Sequence, residues 1–230
     1  MLTFDLFRKP LSAALCLSIG MAAASVTSSC DDDEDVSAPF TDVVDGHDFI
    51  DMGLSVRWAT ANVGADKAEA FGDYFAWGEY VTKDEYSWES YSLGNGDDDL
   101  SAYCPSDKRT TLSAADDVAS LSWGDSWSTP TSEQWQELIR ECTWEWKEMN
   151  GVSGYRVTAS NGNWLFLPAA GYKEQVAMTK VKGYYGYYWS SSISDDSYGM
   201  ADCLRFYRQY REPSSFCRVY GMPVRPVCKY

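Results

Sequence analysis

The stretch Pro130-Thr131-Ser132-Glu133-Gln134-Trp135-Gln136-Glu137-Leu138-Ile139-Arg140-Glu141-Cys142 decides the fold class, because helical patterns are few in this chain. Thr131 and Gln134 have the spacing of a capping box, in which hydroxyl and amide satisfy exposed backbone N–H groups reciprocally, and Pro130 keeps the helix from starting earlier. Trp135, Leu138, Ile139 and Cys142 fall at i, i+3, i+4 and i+7, so one face is written for a core. Ser113-Ala114-Ala115-Asp116 repeats the capping spacing and predicts a second, short helix running toward Ala119.

Short strand patterns flank these helices. Phe49-Ile50-Asp51 and Ser55-Val56-Arg57-Trp58-Ala59-Thr60 read as a strand pair around Met52-Gly53, and Gly72 to Gly78 reads as an aromatic strand. Tyr155 to Thr158 and Asn163 to Leu167 flank Asn161-Gly162, a strong hairpin signal. Tyr184 to Ser190, Cys203 to Tyr207 and Phe216 to Val227 complete the set, with Arg211-Glu212-Pro213-Ser214 read as a turn. Residues 86 to 109 carry the polar and turn residues of a long surface loop, its tip at Gly94-Asn95-Gly96-Asp97-Asp98-Asp99. The fold class expected is α+β: short antiparallel strands, two helices and long loops.

The N-terminus reads as an address. Arg8 and Lys9 precede an apolar stretch from Leu11 to Ala24, too short to span a bilayer, and small residues then lead to Cys30. A thiol just after a cleavage site can take lipid, so residues 1–29 are read as a lipoprotein signal peptide and Cys30 as the lipidation site. Residues 30–46 form an acidic flexible tether in this reading, and 47–230 a single domain. The acidic run Asp31-Asp32-Asp33-Glu34-Asp35 resembles the export signal of Bacteroidota-type surface lipoproteins, although Thr27 stands where an aliphatic residue is usual. That resemblance implies an outer-membrane protein, lipid-anchored and exposed on the cell surface, touching the membrane through its lipid alone. The other reading is ordinary secretion with cleavage after Ala22-Ala23-Ala24.

The 230 residues carry a net charge of −15, which makes nucleic acid an unfavourable partner. His47 is the single histidine and sits at the domain's edge, so imidazole chemistry and zinc have little to work with. No cofactor and no metal site is expected. Asn95, Asp97, Asp98 and Asp99 offer oxygen ligands without the spacing of an EF-hand, and a solvated loop is the simpler reading. Beyond Cys16 and Cys30, the odd set Cys104, Cys142, Cys203, Cys217 and Cys228 leaves at least one thiol unpaired within the chain. Cys203 and Cys217 are equidistant from Tyr210, so strands turning there would bring them face to face; the alternative is two buried thiols.

Several strings together resemble one family. They are Asp51-Met52-Gly53-Leu54-Ser55-Val56-Arg57-Trp58-Ala59 with Asn62-Val63-Gly64, Gly72 to Glu79, Trp123-Gly124 through Trp127 with Pro130-Thr131 and Trp135, Phe166 to Tyr172, Gly186 to Ser192, and Val224-Arg225-Pro226-Val227. This ordered set resembles the Fibrobacter succinogenes major paralogous domain, whose fold is C-type-lectin-like and distantly similar to formylglycine-generating sulfatase-modifying proteins. The resemblance implies closure of the N- and C-terminal strands on each other, long loops on one side, and a Cys142–Cys228 disulfide tying helix to closing strand. Calcium-dependent sugar binding is not supported, since the Glu-Pro-Asn and Gln-Pro-Asp triplets of such lectins are absent. An oxidase of the formylglycine-generating type would need Cys203 and Cys217 as its copper pair, and the residues around them do not match those catalytic strings.

Asp195, Tyr198, Arg205, Tyr207, Arg208, Tyr210, Arg211, Phe216, Arg218 and Tyr220 crowd one C-terminal segment. Tyr and Arg combine large contact area with directed hydrogen bonds, so these are the candidate ligand-binding residues, and the basic cluster hints at an anionic ligand. In some surface lectin-like proteins this stretch is the one diversified for recognition. The expected function is therefore non-catalytic binding of an extracellular protein or glycan. A structural component of a surface complex is the alternative, and the oxidase a lesser one.

Overall fold

A computed structural model describes residues 39–176 and 178–229. Residues 1–38, which include the stretch read as a signal peptide, Cys30 and the first part of the expected tether, lie outside the described residues. Among those described, no helix is long and apolar enough to cross a membrane.

The central sheet has five strands in the order β1-β2-β3-β15-β6: β1 (Thr41–Val44), β2 (His47–Ile50), β3 (Arg57–Ala59), β15 (Val227–Cys228) and β6 (Trp127–Ser128). Phe49 pairs with Ala59 and Ile50 with Trp58, as the alternation predicts. Val227 faces Trp58 on one side and Ser128 on the other, so the chain's end closes the sheet its beginning opens. β1 is a correction to the tether, which was read to residue 46. Thr41 to Val44 pair with His47 to Ile50 across Asp45-Gly46, both in the left-handed region (φ 49° and 80°). An Asp-Gly pair directly after Val43-Val44 is the two-residue hairpin signal that the acidic composition hid.

Between β3 and β6 the chain makes a small hairpin, β4 (Gly94–Gly96) with β5 (Asp99–Leu100), and the helix α1 (Val118–Trp123). Ser113 precedes a single 3-10 turn, Ala114–Asp116, and α1 then has its own cap in Asp117, whose carboxylate accepts from the Ala119 N–H (2.9 Å) and from the N–H and hydroxyl of Thr129. Gly72 to Gly78 is not a strand; Phe75 makes a single bridge to Met222. The helix α2 (Ser132–Glu141) has the predicted capping box, and Trp135 and Leu138 are buried from its core face.

Two three-stranded antiparallel sheets follow. One joins β7 (Thr143–Met149), β8 (Val152–Thr158) and β9 (Trp164–Pro168); β7 is absent from the sequence reading. After the small pair β10 (Tyr172–Glu174) and β11 (Met178–Lys180), the other joins β12 (Tyr185–Ile193), β13 (Met200–Tyr207) and β14 (Tyr210–Cys217). The predicted turn at 211–214 is overturned, because those residues lie inside β14 and the chain turns at Arg208-Gln209. Pro213 sits on an edge strand, where its missing N–H breaks no inner ladder.

That shift corrects the cysteines. Cys203 lies opposite Ser214 and Cys217 opposite Met200, so the two thiols are not face to face. Cys142 packs with Trp135 and Leu138 while Cys228 packs with Trp127 and Trp189, and all five described cysteines are free thiols. The core around them is aromatic: Trp58, Trp77, Trp127, Trp135 and Trp189 are all fully buried. Trp77 and Trp189 donate their indole N–H groups to the carbonyls of Ser190 and Phe75, which spares each the cost of a buried, unmade bond.

Candidate functional site

β13 alternates, so the candidate residues divide between its two faces. Leu204 and Phe206 are buried on the side of Trp135 and Tyr155. Arg205 and Tyr207 point the other way, opposite Tyr187 and Tyr185 on β12 and Glu212 and Tyr210 on β14. This face is a packed aromatic field, buried in the core at Tyr187 and exposed at Tyr210: Tyr207 lies 5.0 Å from Tyr185 and 5.1 Å from Tyr210, and Phe216 lies 5.0 Å from Tyr187. Tyr172 stacks beside Tyr220 at 5.6 Å and meets Tyr187 at 5.0 Å. Arg205 is ion-paired with Glu212, which also accepts from the Tyr210 hydroxyl, and these bonds hold the Glu212 carboxyl below its usual range.

The arginines do not form one basic cluster, which corrects the hint of an anionic ligand. Arg205 is neutralised by Glu212, and Arg211 lies on the opposite face, its guanidinium 5.5 Å from the Trp144 ring. Arg208 is exposed on the turn. Arg218 is fully buried. Its Nε donates to the Tyr91 hydroxyl (2.6 Å), Nη1 to the carbonyls of Tyr103 (3.2 Å) and Tyr198 (3.1 Å), and Nη2 to the Ala102 carbonyl (3.2 Å). Trp77 and Tyr91 flank it at 4.8 and 5.3 Å.

Arg218 thereby ties together two loops nearly a hundred residues apart. Asp97, Asp98, Leu100 and Cys104 from the first, with Ser197 and Tyr198 from the second, line a cleft of about 500 Å³. That volume is in the range of small-ligand sites, about 300–1,000 Å³. Tyr198 is 38% exposed at its rim. The Cys104 sulfur lies 2.9 Å from the Ser106 hydroxyl, and this bond lowers the thiol's pKa. A second, smaller cleft of about 230 Å³ lies between α2 and β14, with Asp195, Asp196 and Asp202 in its wall. Burial and then the charges of Asp195, Glu133 and Asp196 push the Asp202 carboxyl up, against the hydrogen bond from Ser132.

The loop end is therefore acidic, and its chemistry suits cationic or polyhydroxylated groups better than anions. Among the described residues no group of His, Cys, Asp and Glu is placed to hold a metal ion. Of the candidate residues, the structure gathers Arg205, Tyr207, Tyr210, Phe216 and Tyr220 on or beside the aromatic field, sets Asp195 and Tyr198 in the two clefts, and withdraws Arg218 and Arg211. Sequence reasoning missed Tyr172, Tyr185 and Tyr187. The alternation Tyr185, Tyr187, Trp189 was the signal that could have found the last two. Compared with protein-family models, curated proteins and solved structures, the chain matches none of them.

Proposed function

We propose that this chain is a non-catalytic surface lipoprotein whose C-type-lectin-like domain, of the major paralogous type, binds an extracellular protein or glycan through its loop end. Lipid at Cys30 anchors it to the outer membrane in this reading. The single observation that carries it is the convergence of residues 94–106 and 194–199 on a cleft rimmed by Tyr198. A surface whose loops are already ordered loses little conformational entropy on binding, which is the property a recognition face needs. The adjoining aromatic field adds broad contact area with hydroxyl tips.

The test is to probe arrays of extracellular proteins and glycans with the full chain and with a Tyr198→Ala/Asp98→Ala variant. Both positions are exposed, so the variant is expected to keep its melting temperature and to lose specific binding by at least about tenfold. Absence of binding to any array member, or binding that the variant retains, would shift the assignment to a structural component of a surface complex.

A further inference from the structure

A groove of about 440 Å³ lies apart from the loop-end cleft, and none of the candidate ligand-binding residues lines it. One wall is built by His47 on β2 and Trp123 at the end of α1, their rings parallel at 3.9 Å with an interplanar angle of 5°. Trp127 braces Trp123 edge-on at 5.0 Å, so the aromatic wall is held in place by the core. The other wall is the segment carrying Tyr80 and Val81, which are 58% and 59% exposed.

Asp73 supplies the polar group. A Cβ built on Gly64 would lie 2.3 Å from an Asp73 carboxylate oxygen, so only glycine allows this carboxylate to lie against the backbone there. Gly64 also has φ +77°, which glycine adopts at no steric cost. Among the described residues no cation is paired with Asp73. The hydroxyl-bearing residues Thr82 and Ser122 complete the rim.

We infer that this groove binds a neutral pyranose oligosaccharide. A pyranose ring has an apolar C–H face and a girdle of hydroxyls, so its site must offer aromatic surface beside directed hydrogen-bond partners. The groove has both, at a volume suited to a small ligand. A wholly apolar ligand would strip water from the Asp73 carboxylate without replacing its hydrogen bonds, which is unfavourable for a charged group. An anionic sugar would meet both the Asp73 carboxylate and a chain of net charge −15. A neutral sugar satisfies ring and carboxylate together. This site does not depend on the loop-end reading and can stand if that reading fails.

The experiment titrates the full chain calorimetrically with neutral oligosaccharides that bind on a broad glycan array, alongside Tyr80→Ala, Asp73→Asn and Tyr198→Ala variants. At least one neutral oligosaccharide is expected to bind, with affinity falling at least about tenfold in Tyr80→Ala and in Asp73→Asn and unchanged in Tyr198→Ala. Tyr80 and Asp73 are both exposed, so melting temperatures should match the parent and separate lost contact from lost fold. No binding to any neutral glycan overturns the inference. So does binding that survives both groove variants, or that Tyr198→Ala abolishes.

Discussion

Arg218 and Asp107 show how single residues order the loop end. Burying a guanidinium costs several kcal/mol unless its donors are satisfied, and Arg218 meets that condition with a phenol oxygen and three carbonyls instead of a carboxylate. Asp107 works nearer the surface of the same region. Burial pushes its carboxyl up, but the N–H groups of Arg109, Tyr103 and Cys104 and the Arg109 guanidinium outweigh burial and hold it well below the usual carboxylate range. A carboxyl whose native pKa lies below its unfolded value adds stability that is complete above the unfolded value, about 3.9, and drains away as pH falls below it. Asp107→Asn is therefore expected to lower the denaturation midpoint at neutral pH, with the gap to the parent narrowing below about pH 4. Urea melts across that range measure it, and a gap independent of pH would refute the linkage. Nothing in the sequence pointed to Asp107, because its partners are backbone N–H groups whose direction depends on the turn.

At the scale of elements, the two-residue strand β15 has more influence than its length suggests. It is hydrogen-bonded on both sides, to β3 and to β6, and Met222, Val224 and Val227 are buried beside it. Each such side chain contributes about 1.5–3 kcal/mol on burial, and a domain's net stability is only about 5–15 kcal/mol. A chain ending at Gly221 is expected to lose its near-UV circular dichroism and its cooperative melt; a retained cooperative transition would contradict this closure. Elements differ in how legible they were. α2 was fully readable, since its capping box and its Trp135, Leu138 face are local facts. β14 was not, because Glu212-Pro213-Ser214 has turn composition, and only an edge position lets proline remain in a strand. The misplaced turn carried the Cys203 and Cys217 pairing with it, since a shift of register along an antiparallel pair changes every partner.

For the whole molecule, charge is the governing quantity. A net −15 repels itself most in the compact state, and salt shortens the reach of that repulsion from about 10 Å at 0.1 M to about 3 Å at 1 M. The melting temperature is thus expected to rise as sodium chloride is raised toward about 1 M, read by calorimetry. A fall would mean that local pairs such as Lys83–Glu79 (2.6 Å) outweigh the global term. What the sequence determined by itself is local or summed: the α+β class, the capped helix, the hairpin at Asn161-Gly162 and the aromatic core. Tertiary structure alone decided which arginines reach a surface, that residues 94–106 meet 194–199 over Arg218, and that Trp123, Asp73 and Tyr80 share a groove. Caps, turns and periodicity act over a few residues and leave their signature in order along the chain. Contacts between distant residues depend on strand register and on which face the rest of the core leaves open, and no local pattern encodes either.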